Sequence, residues 1–306
     1  WDYWERHLDP ELFIDRSLKG TVAGKVVLVT GAGSVGPGWG NGRAIATRFA
    51  EEGAKIFGVD FKLERMQETI EKVRACGGEI ETGFCDVTKH QSIIDTVATC
   101  VKKFGRIDIL VNNAGYAVSG AAEESSIEQV RALFDTNFLG VVRVTNAVLP
   151  IMRAQGQGRI LNIGSVLGLI PGPFGAYYAA SKHAIEGYSE SLDHEVRAFG
   201  IRVAVIEPWA TKTSIEANSP QGDRPVGAYA QVLAQYRAAF DAAMAAGDTA
   251  EDVAKTVLAA AQDRSPRLRY PSGKAARQTS FARRFLPRAL FDRSRSEERR
   301  VGKECL

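Results

Sequence analysis

The chain has 306 residues, 45% of them hydrophobic and 25% charged, with a formal net charge of +3; that composition predicts a soluble globular protein with one large core or two small ones. Its four cysteines, Cys76, Cys85, Cys100 and Cys305, stand at no metal-ligand or C-x-x-C spacing, which argues against a disulfide framework or a zinc site and predicts a reducing cytoplasm. No charged-then-apolar leader opens the chain, and runs such as VVRVTNAVLPIM are broken by polar residues short of a membrane span.

From Lys25 the sequence alternates β-branched runs with helical periodicity: KVVLVT, GRAIATRFAEEG, AKIFGVD, LERMQETIEKVRACGG, EIETGFCDV, a helix through Lys103, then RIDILVNNAG. Such units predict right-handed crossovers and a parallel sheet. KVVLVT and DILVNN are nearly continuous apolar runs, as strands covered by helices on both faces require. The second half adds a long helix through about Met152, then GRILNIGS, a helix carrying Tyr178, and IRVAVIEP. The predicted architecture is one α/β domain over residues 21–271, a doubly wound Rossmann-like parallel sheet of about seven strands.

After the first strand, Thr30 to Ala46 read TGAGSVGPGWGNGRAIA. Glycines there let the backbone approach a pyrophosphate, and the helix that follows offers free N–H groups and a positive dipole end. The next strand ends in Asp60, twenty residues beyond Gly40, the spacing of a ribose-binding carboxylate. The competing role for Asp60 is to cap the LERMQ helix.

Tyr177 and Tyr178 lie just before Lys182. At about 100° per residue, Lys182 shares a helix face with Tyr178, four positions away, and not with Tyr177, five away. A tyrosine at this spacing is often only a ring packed on an aliphatic stem, so the chemistry depends on what surrounds it.

With the Gly-rich turn, Asp86-Val87, the NNAG of Asn112 to Gly115, Asn137, Ser165, Tyr178 and Lys182 in this order, the chain resembles the short-chain dehydrogenase/reductase family over about residues 22–271. The 28 residues from Asn137 to Ser165 and the 13 from Ser165 to Tyr178 are typical of that family. The resemblance implies an NAD(P)-dependent oxidoreductase that interconverts an alcohol and a carbonyl. Tyr178 is then the general acid or base, its pKa lowered by Lys182; Ser165 holds the substrate oxygen, and Asn137 positions a water beside Lys182. Cofactor contacts fall to Thr30, Gly31, Gly40, Gly42, Asp60, Asp86, Val87, Asn113, Ala114, Gly115, Pro208 and Thr213. Asp60 favours NAD over NADP, because it would repel a 2′-phosphate and no basic residue lies between Thr30 and Gly42; Lys62 is the basic residue that could offset it.

Two features depart from the family pattern. Eight residues separate Gly31 from Gly40, five more than usual, and Pro208-Trp209 replaces the usual Pro-Gly. Trp209 is expected to narrow the pocket. VLGLIPGPFGA after Ser165 predicts apolar walls, hence a steroid-, retinoid- or fatty-aldehyde-like substrate. A homodimer or homotetramer with the Tyr178 helix at its interface is implied by the family.

The ends carry their own expectations. Residues 1–20 resemble a connector ahead of the dehydrogenase module in multidomain bacterial relatives, a docking arm or linker. Residues 264–306 hold thirteen Arg or Lys against four acids, a solvated basic surface rather than a nucleic-acid site. FARRFLPRALF, 281–291, could cover the active-site mouth, rest on a membrane surface or pack on its own domain. RSEERRVGKEC, within 295–306, resembles translated sequencing-adapter read-through and is expected to be frayed and without function. Rival readings are an NAD-binding regulator without turnover, and a surface adaptor acting through the basic tail.

Overall fold

The computed structural model describes residues 22–36, 38–213 and 219–287; the N-terminal arm, Leu290, Phe291 and the 295–306 tail lie outside them. Seven parallel strands form one sheet in the order β3-β2-β1-β4-β5-β6-β9. They are β1 Val26–Thr30, β2 Lys55–Asp60, β3 Glu79–Phe84, β4 Ile109–Asn112, β5 Gly158–Ile163, β6 Ile201–Pro208 and β9 Arg269–Ser272. The predicted fold class is therefore observed, and the last strand ends one residue past the expected limit. A separate two-stranded pair joins β7 Thr211–Lys212 to β8 Asp248–Thr249.

Pattern explains the sheet. Every residue of β1 is buried, and its neighbours are β2 and β4, so helices must cover both faces. One core layer packs α1 (Asn41–Glu51), α2 (Gln67–Ala75) and α8 (Ala250–Gln262) on the sheet through Ile45, Phe49, Val73, Val253 and Val257. The opposite layer packs α3 (His90–Phe104), α5 (Gly140–Gln155) and α6 (Ala176–Val196) through Ile93, Val97, Val148, Met152, Leu192 and Val196. The order of strands reverses between β1 and β4, which opens a crevice at their carboxyl ends.

Two helices are shaped by that crevice. Between α4 (Ile127–Phe134) and α5 the chain takes one π turn, Asp135–Leu139, a local widening that commonly marks a functional site; Asn137 lies in it. On α6 the buried stripe Lys182, Ile185, Glu186, Ser189, Leu192, Asp193, Val196 has helical spacing but is half polar. Its C-terminal polar members are satisfied: Ser189 accepts from Asn162 at 2.9 Å, and Asp193 accepts from Arg202 at 2.8 Å and Val203 N at 2.9 Å. Lys182 and Glu186, nearer the crevice, are the members that bear on chemistry.

The chain then adds α7 (Ala230–Ala245), with no fully buried residue, and α9 (Gly273–Phe285), with only Ala276 buried. Ala276 and Ala282 pack on Val166, Leu167, Leu169, Ile170 and Trp209, and Arg283 donates to the Leu169 carbonyl at 3.1 Å. Phe281 and Phe285 are 63% and 62% exposed, ring to ring at 4.7 Å. Alanines and the Arg283 guanidinium, not these phenylalanines, attach the helix, because the small side chains let it approach the loop after β5.

Candidate active site

A cleft of about 1310 Å³ runs along the carboxyl ends of the strands. At one end lies the glycine turn. Gly31 has φ +63°, and a Cβ on Gly42 would fall 2.0 Å from the Gly31 carbonyl oxygen, so the turn and the first turn of α1 are pressed together as only glycine permits. Gly40 is the extended N-cap of α1, and the first bond there is Ala44 N to Gly40 O at 3.0 Å. The N–H groups of Asn41, Gly42 and Arg43 precede that bond and have no acceptor within the helix. The long turn therefore still delivers Gly31, Gly40 and Gly42 to one place.

Asp60, at the end of β2, lines the cleft. Its Oδ2 accepts from Gly33 N at 3.1 Å and its Oδ1 from Lys62 N at 3.0 Å. It does not cap the following 3-10 turn, whose N-cap is Lys62 without a side-chain bond. Gly33, Lys62 and Arg65 share this wall. Sequence reasoning singled out Gly31, Gly40 and Gly42 of the turn but not Gly33, and had no cue for Arg65, whose Cβ packs beside Gly33 only through folding of the long turn. Arg43 is buried and commits its guanidinium to the Gly38 carbonyl, Glu68 and Thr69. Asp86 and Val87 line the next stretch, Asp86 Oδ1 holding Thr88 N at 2.9 Å.

Asn113, Ala114 and Gly115 follow β4 and form the floor. The Asn113 side chain donates to the carbonyls of Thr30, at 3.1 Å, and Gly31, at 2.8 Å. Thr30 and Asn137 are not in the cleft wall; they stand behind it. Thr30 Oγ1 accepts from Asn113 N and Ala114 N at 3.1 and 3.2 Å. Asn137 Oδ1 accepts from Tyr116 N at 3.0 Å, and its Nδ2 donates to Tyr116 O at 2.8 Å and Ser181 Oγ at 3.3 Å. Both amide hydrogens of Asn137 are thus bound by protein, and the side chain fixes the backbone beside Gly115.

Ser165, Tyr178 and Lys182 converge on the cleft. Ser165 follows β5, and its hydroxyl also caps the turn Val166–Gly168, accepting from Leu167 N at 3.1 Å. Tyr178 stands beside the Ser165 side chain in the cleft wall. Lys182 Nζ donates to the Ile163 carbonyl at 2.7 Å and lies 5.6 Å from the Tyr178 ring centroid. Tyr177 points elsewhere, its hydroxyl on the Ala122 carbonyl at 2.9 Å. The depressed Tyr178 pKa expected from sequence is not found. Burial pushes the phenol up to about 12, against the pull of the Ser165 side chain, and burial pulls Lys182 down to about 8, against the charge of Glu186.

The substrate side is apolar. Val118, Val166, Leu167, Ile170 and Trp209 line it, and Pro208 and Thr213 belong to the same lining. Phe174 holds φ +52°, an uncommon conformation for a bulky residue, and stacks toward Tyr236 at 5.2 Å; Tyr236 stacks on Phe240 at 6.0 Å. Val232, Tyr236, Phe240 and Met244 of α7 form this wall. Their spacing of four was a readable signal, but nothing in one dimension says that the stripe faces a cleft instead of the core.

Comparison with known proteins agrees with this geometry. A family profile described as short chain dehydrogenase matches residues 25–224. An uncharacterized oxidoreductase, YusZ of Bacillus subtilis, is 35% identical over 281 residues, covering 88% of this chain and 96% of that protein. The 3-ketodihydrosphingosine reductase of Bacteroides thetaiotaomicron is 38% identical over 194 residues, 63% of this chain and 66% of that protein. Among solved structures, a short-chain dehydrogenase/reductase from Burkholderia phymatum in complex with NAD superimposes with TM-score 0.75 at 30% identity, covering 86% of this chain and 94% of that one. A metagenomic short-chain oxidoreductase in complex with NADP gives TM-score 0.65 at 25% identity, covering 83% and 99%. The chain belongs to the short-chain dehydrogenase family. It is a Rossmann-type oxidoreductase that uses a nicotinamide cofactor.

Proposed function

We propose that the protein interconverts an apolar alcohol and its ketone or aldehyde with NAD, Tyr178 acting as general acid and base. The observation that carries this is the convergence of Ser165, Tyr178 and Lys182, the last one helical turn on from Tyr178, in the wall of a cleft that also holds the glycine turn and Asp60. The glycine cradle and the free N–H groups of α1 fit a pyrophosphate, and Asp60 fits a ribose diol. Bound nicotinamide supplies or accepts the hydride. In reduction the Tyr178 hydroxyl gives its proton to the carbonyl oxygen, which Ser165 holds by a hydrogen bond; in oxidation the phenolate takes that proton back. The Lys182 ammonium stabilises the phenolate as charge develops, and Asn137 acts as a positioning residue beneath Gly115.

NAD is preferred on the charge of Asp60, with Lys62 and Arg65 as the nearby cations that a 2′-phosphate would seek. The apolar substrate is supported by the walls from Val166 to Met244 and by the Bacteroides relative, whose named substrate carries its carbonyl on a sphingoid chain. A panel of long-chain, steroid-like and retinoid-like alcohols and carbonyls, followed by NADH absorbance with NADPH in parallel, tests it. Turnover of an apolar member with NADH is expected; cofactor binding without turnover of any member would favour the regulatory reading.

The same reading includes a cytoplasmic homodimer or homotetramer joined through α6. Cys76, Cys85 and Cys100 are free thiols, which suits a reducing compartment, and no described helix is long and apolar enough to cross a membrane. A peripheral membrane contact is a second reading. It is favoured by exposed Phe281, Phe285 and Leu286 beside Arg283 and Arg284, and loss of vesicle binding on removal of these side chains would test it.

A further inference from the structure

Behind Lys182 lies a buried ionic cluster drawn from three elements. Glu186 follows Lys182 by one turn of α6 and is buried; Glu207, on β6 just before Pro208, is wholly inaccessible. Arg269 of β9 reaches both. Its Nε is 2.8 Å from Glu186 Oε2 and 3.6 Å from Glu207 Oε1, and its Nη2 is 3.0 Å from the exposed Glu190. Glu186 Oε1 and both Glu207 oxygens have no hydrogen-bond partner of ordinary length. One guanidinium thus faces three carboxylates, two of them removed from water, and two buried carboxylates this close cannot both ionise cheaply.

Geometry divides the charge. Glu186 has the direct bond to Arg269, whereas Glu207 has only the longer approach. Burial pushes Glu207 up to about 8, and the charge of Glu186 pushes the same way, against Arg269 and the Ser280 side chain of α9. Glu186 itself is raised by burial, against the pull of Arg269 and Lys182 and with a push from Glu190. These are the charged groups that face the cluster from α6, β6 and β9, and α9 adds the Ser280 hydroxyl.

The end of β5 joins the cluster to the site. The Ile163 carbonyl takes the Lys182 ammonium, and at the next residue, Gly164, a Cβ would stand 3.3 Å from Glu186 Oε1. Gly168 is pressed on the Lys182 carbonyl and on Glu186 Cγ, its Cβ position 3.0 and 3.1 Å away. Lys182 and Glu186 therefore abut one short stretch of backbone that also carries Ser165.

We propose that Glu186 is a positioning residue for Lys182: ionised and held by Arg269 over a protonated Glu207, it is the counter-charge that keeps the Lys182 ammonium charged during turnover. This rests on the reading of Lys182 as part of the active site. Removing the carboxylate charge lets desolvation lower the Lys182 pKa further, so the ammonium is lost at a lower pH.

The test uses the full chain with an apolar carbonyl substrate and NADH, and separately the 15N resonance of Lys182 Nζ without cofactor, assigned by its loss in Lys182→Met. Glu186→Gln is expected to move the alkaline limb of kcat/KM and the Nζ titration together toward acid by about one pH unit or more, with turnover near wild type at the acid end. Glu186→Asp should restore part of the shift and replaces the Gln variant if that fails to fold. Glu207→Gln mimics the protonated acid and should leave the Nζ titration in place, as should Glu190→Gln. An unmoved Nζ titration in Glu186→Gln, whatever its melting temperature, overturns the proposal in favour of a packing role. A shift in Glu207→Gln as large as in Glu186→Gln overturns the assignment of the proton. If Lys182→Met retains full turnover, the catalytic reading fails, while the Nζ titration still decides whether Glu186 holds the charge.

Discussion

The two ends of the cleft are built differently. The cofactor end is made of strand termini and the first turn of α1, with Thr30, Asn113 and Asp60 locked by backbone bonds between 2.8 and 3.1 Å. The substrate end is made of loop residues such as Val166, Leu167 and Trp209 and of one face of α7, a helix that buries no residue fully, with the weakly buried α9 packed behind that loop. A rigid end fixes the cofactor in one place, while a loosely attached end can change its wall without disturbing the sheet. Function that demands one geometry is thus placed where the core is deepest, and selectivity is placed where local opening costs least.

The largest effect that can separate the two ends falls between them, at the reacting group. Tyr178→Phe should lower kcat by about 10²-fold or more, the scale of a lost general acid, with cofactor affinity retained. Tyr177→Phe, which removes only a bond to the Ala122 carbonyl, should leave kcat near wild type. If the Tyr177 variant were the inactive one, the helical-face argument would fail.

Gly42→Ala probes the rigid end. The new methyl would meet the Gly31 carbonyl at 2.0 Å and the Asn113 side chain at 2.6 Å, both held in place. A loss of about 3 kcal/mol in stability is expected, the upper range for overpacking, together with a large loss of cofactor affinity. A variant with unchanged melting temperature and cofactor binding would show that the turn yields, and the contrast drawn here would collapse.

Asp60→Ala should weaken NAD by about tenfold, as for one charge-assisted hydrogen bond, and relax discrimination against NADP because Lys62 and Arg65 remain. Binding of both cofactors measured by titration checks it. An unchanged NAD to NADP ratio would confine Asp60 to holding Gly33 and Lys62.

What the sequence disclosed follows the same division. Fully buried strands such as Val26–Thr30 write their environment into a continuous apolar run, and Asn137, Ser165, Tyr178 and Lys182 carry fixed spacings, so the sheet and the polar constellation were legible. The particular contact of Gly33 with Asp60, and the place of Arg65 beside it, were not, because only the folding of the long turn brings them together. The raised Tyr178 pKa was not legible because spacing shows a neighbouring lysine but not the burial of the phenol. Glu186 and Glu207 read as ordinary helix and strand residues until Arg269, 62 positions beyond Glu207, is seen between them.

The smallest expected effect belongs to the loose end. Phe240 stacks on Tyr236, which in turn meets Phe174, four residues before Tyr178, so the three rings form a wall that reaches from α7 to the reacting group's own helix. α7 buries no residue fully, so removing one ring leaves no internal cavity to strain the core. Phe240→Ala should forfeit one ring pair, about 1 kcal/mol, or roughly fivefold in KM for an apolar substrate. Because Phe240 takes no part in the contacts that hold Lys182 and Asp60, kcat and NAD affinity should stay put, and the melting temperature should move little. A short-chain substrate that never reaches α7 should be indifferent to the change, so the ratio of the two KM values isolates the wall from general damage. If short and long substrates suffered alike, α7 would be a structural support for the whole cleft, and the two ends would not be separable.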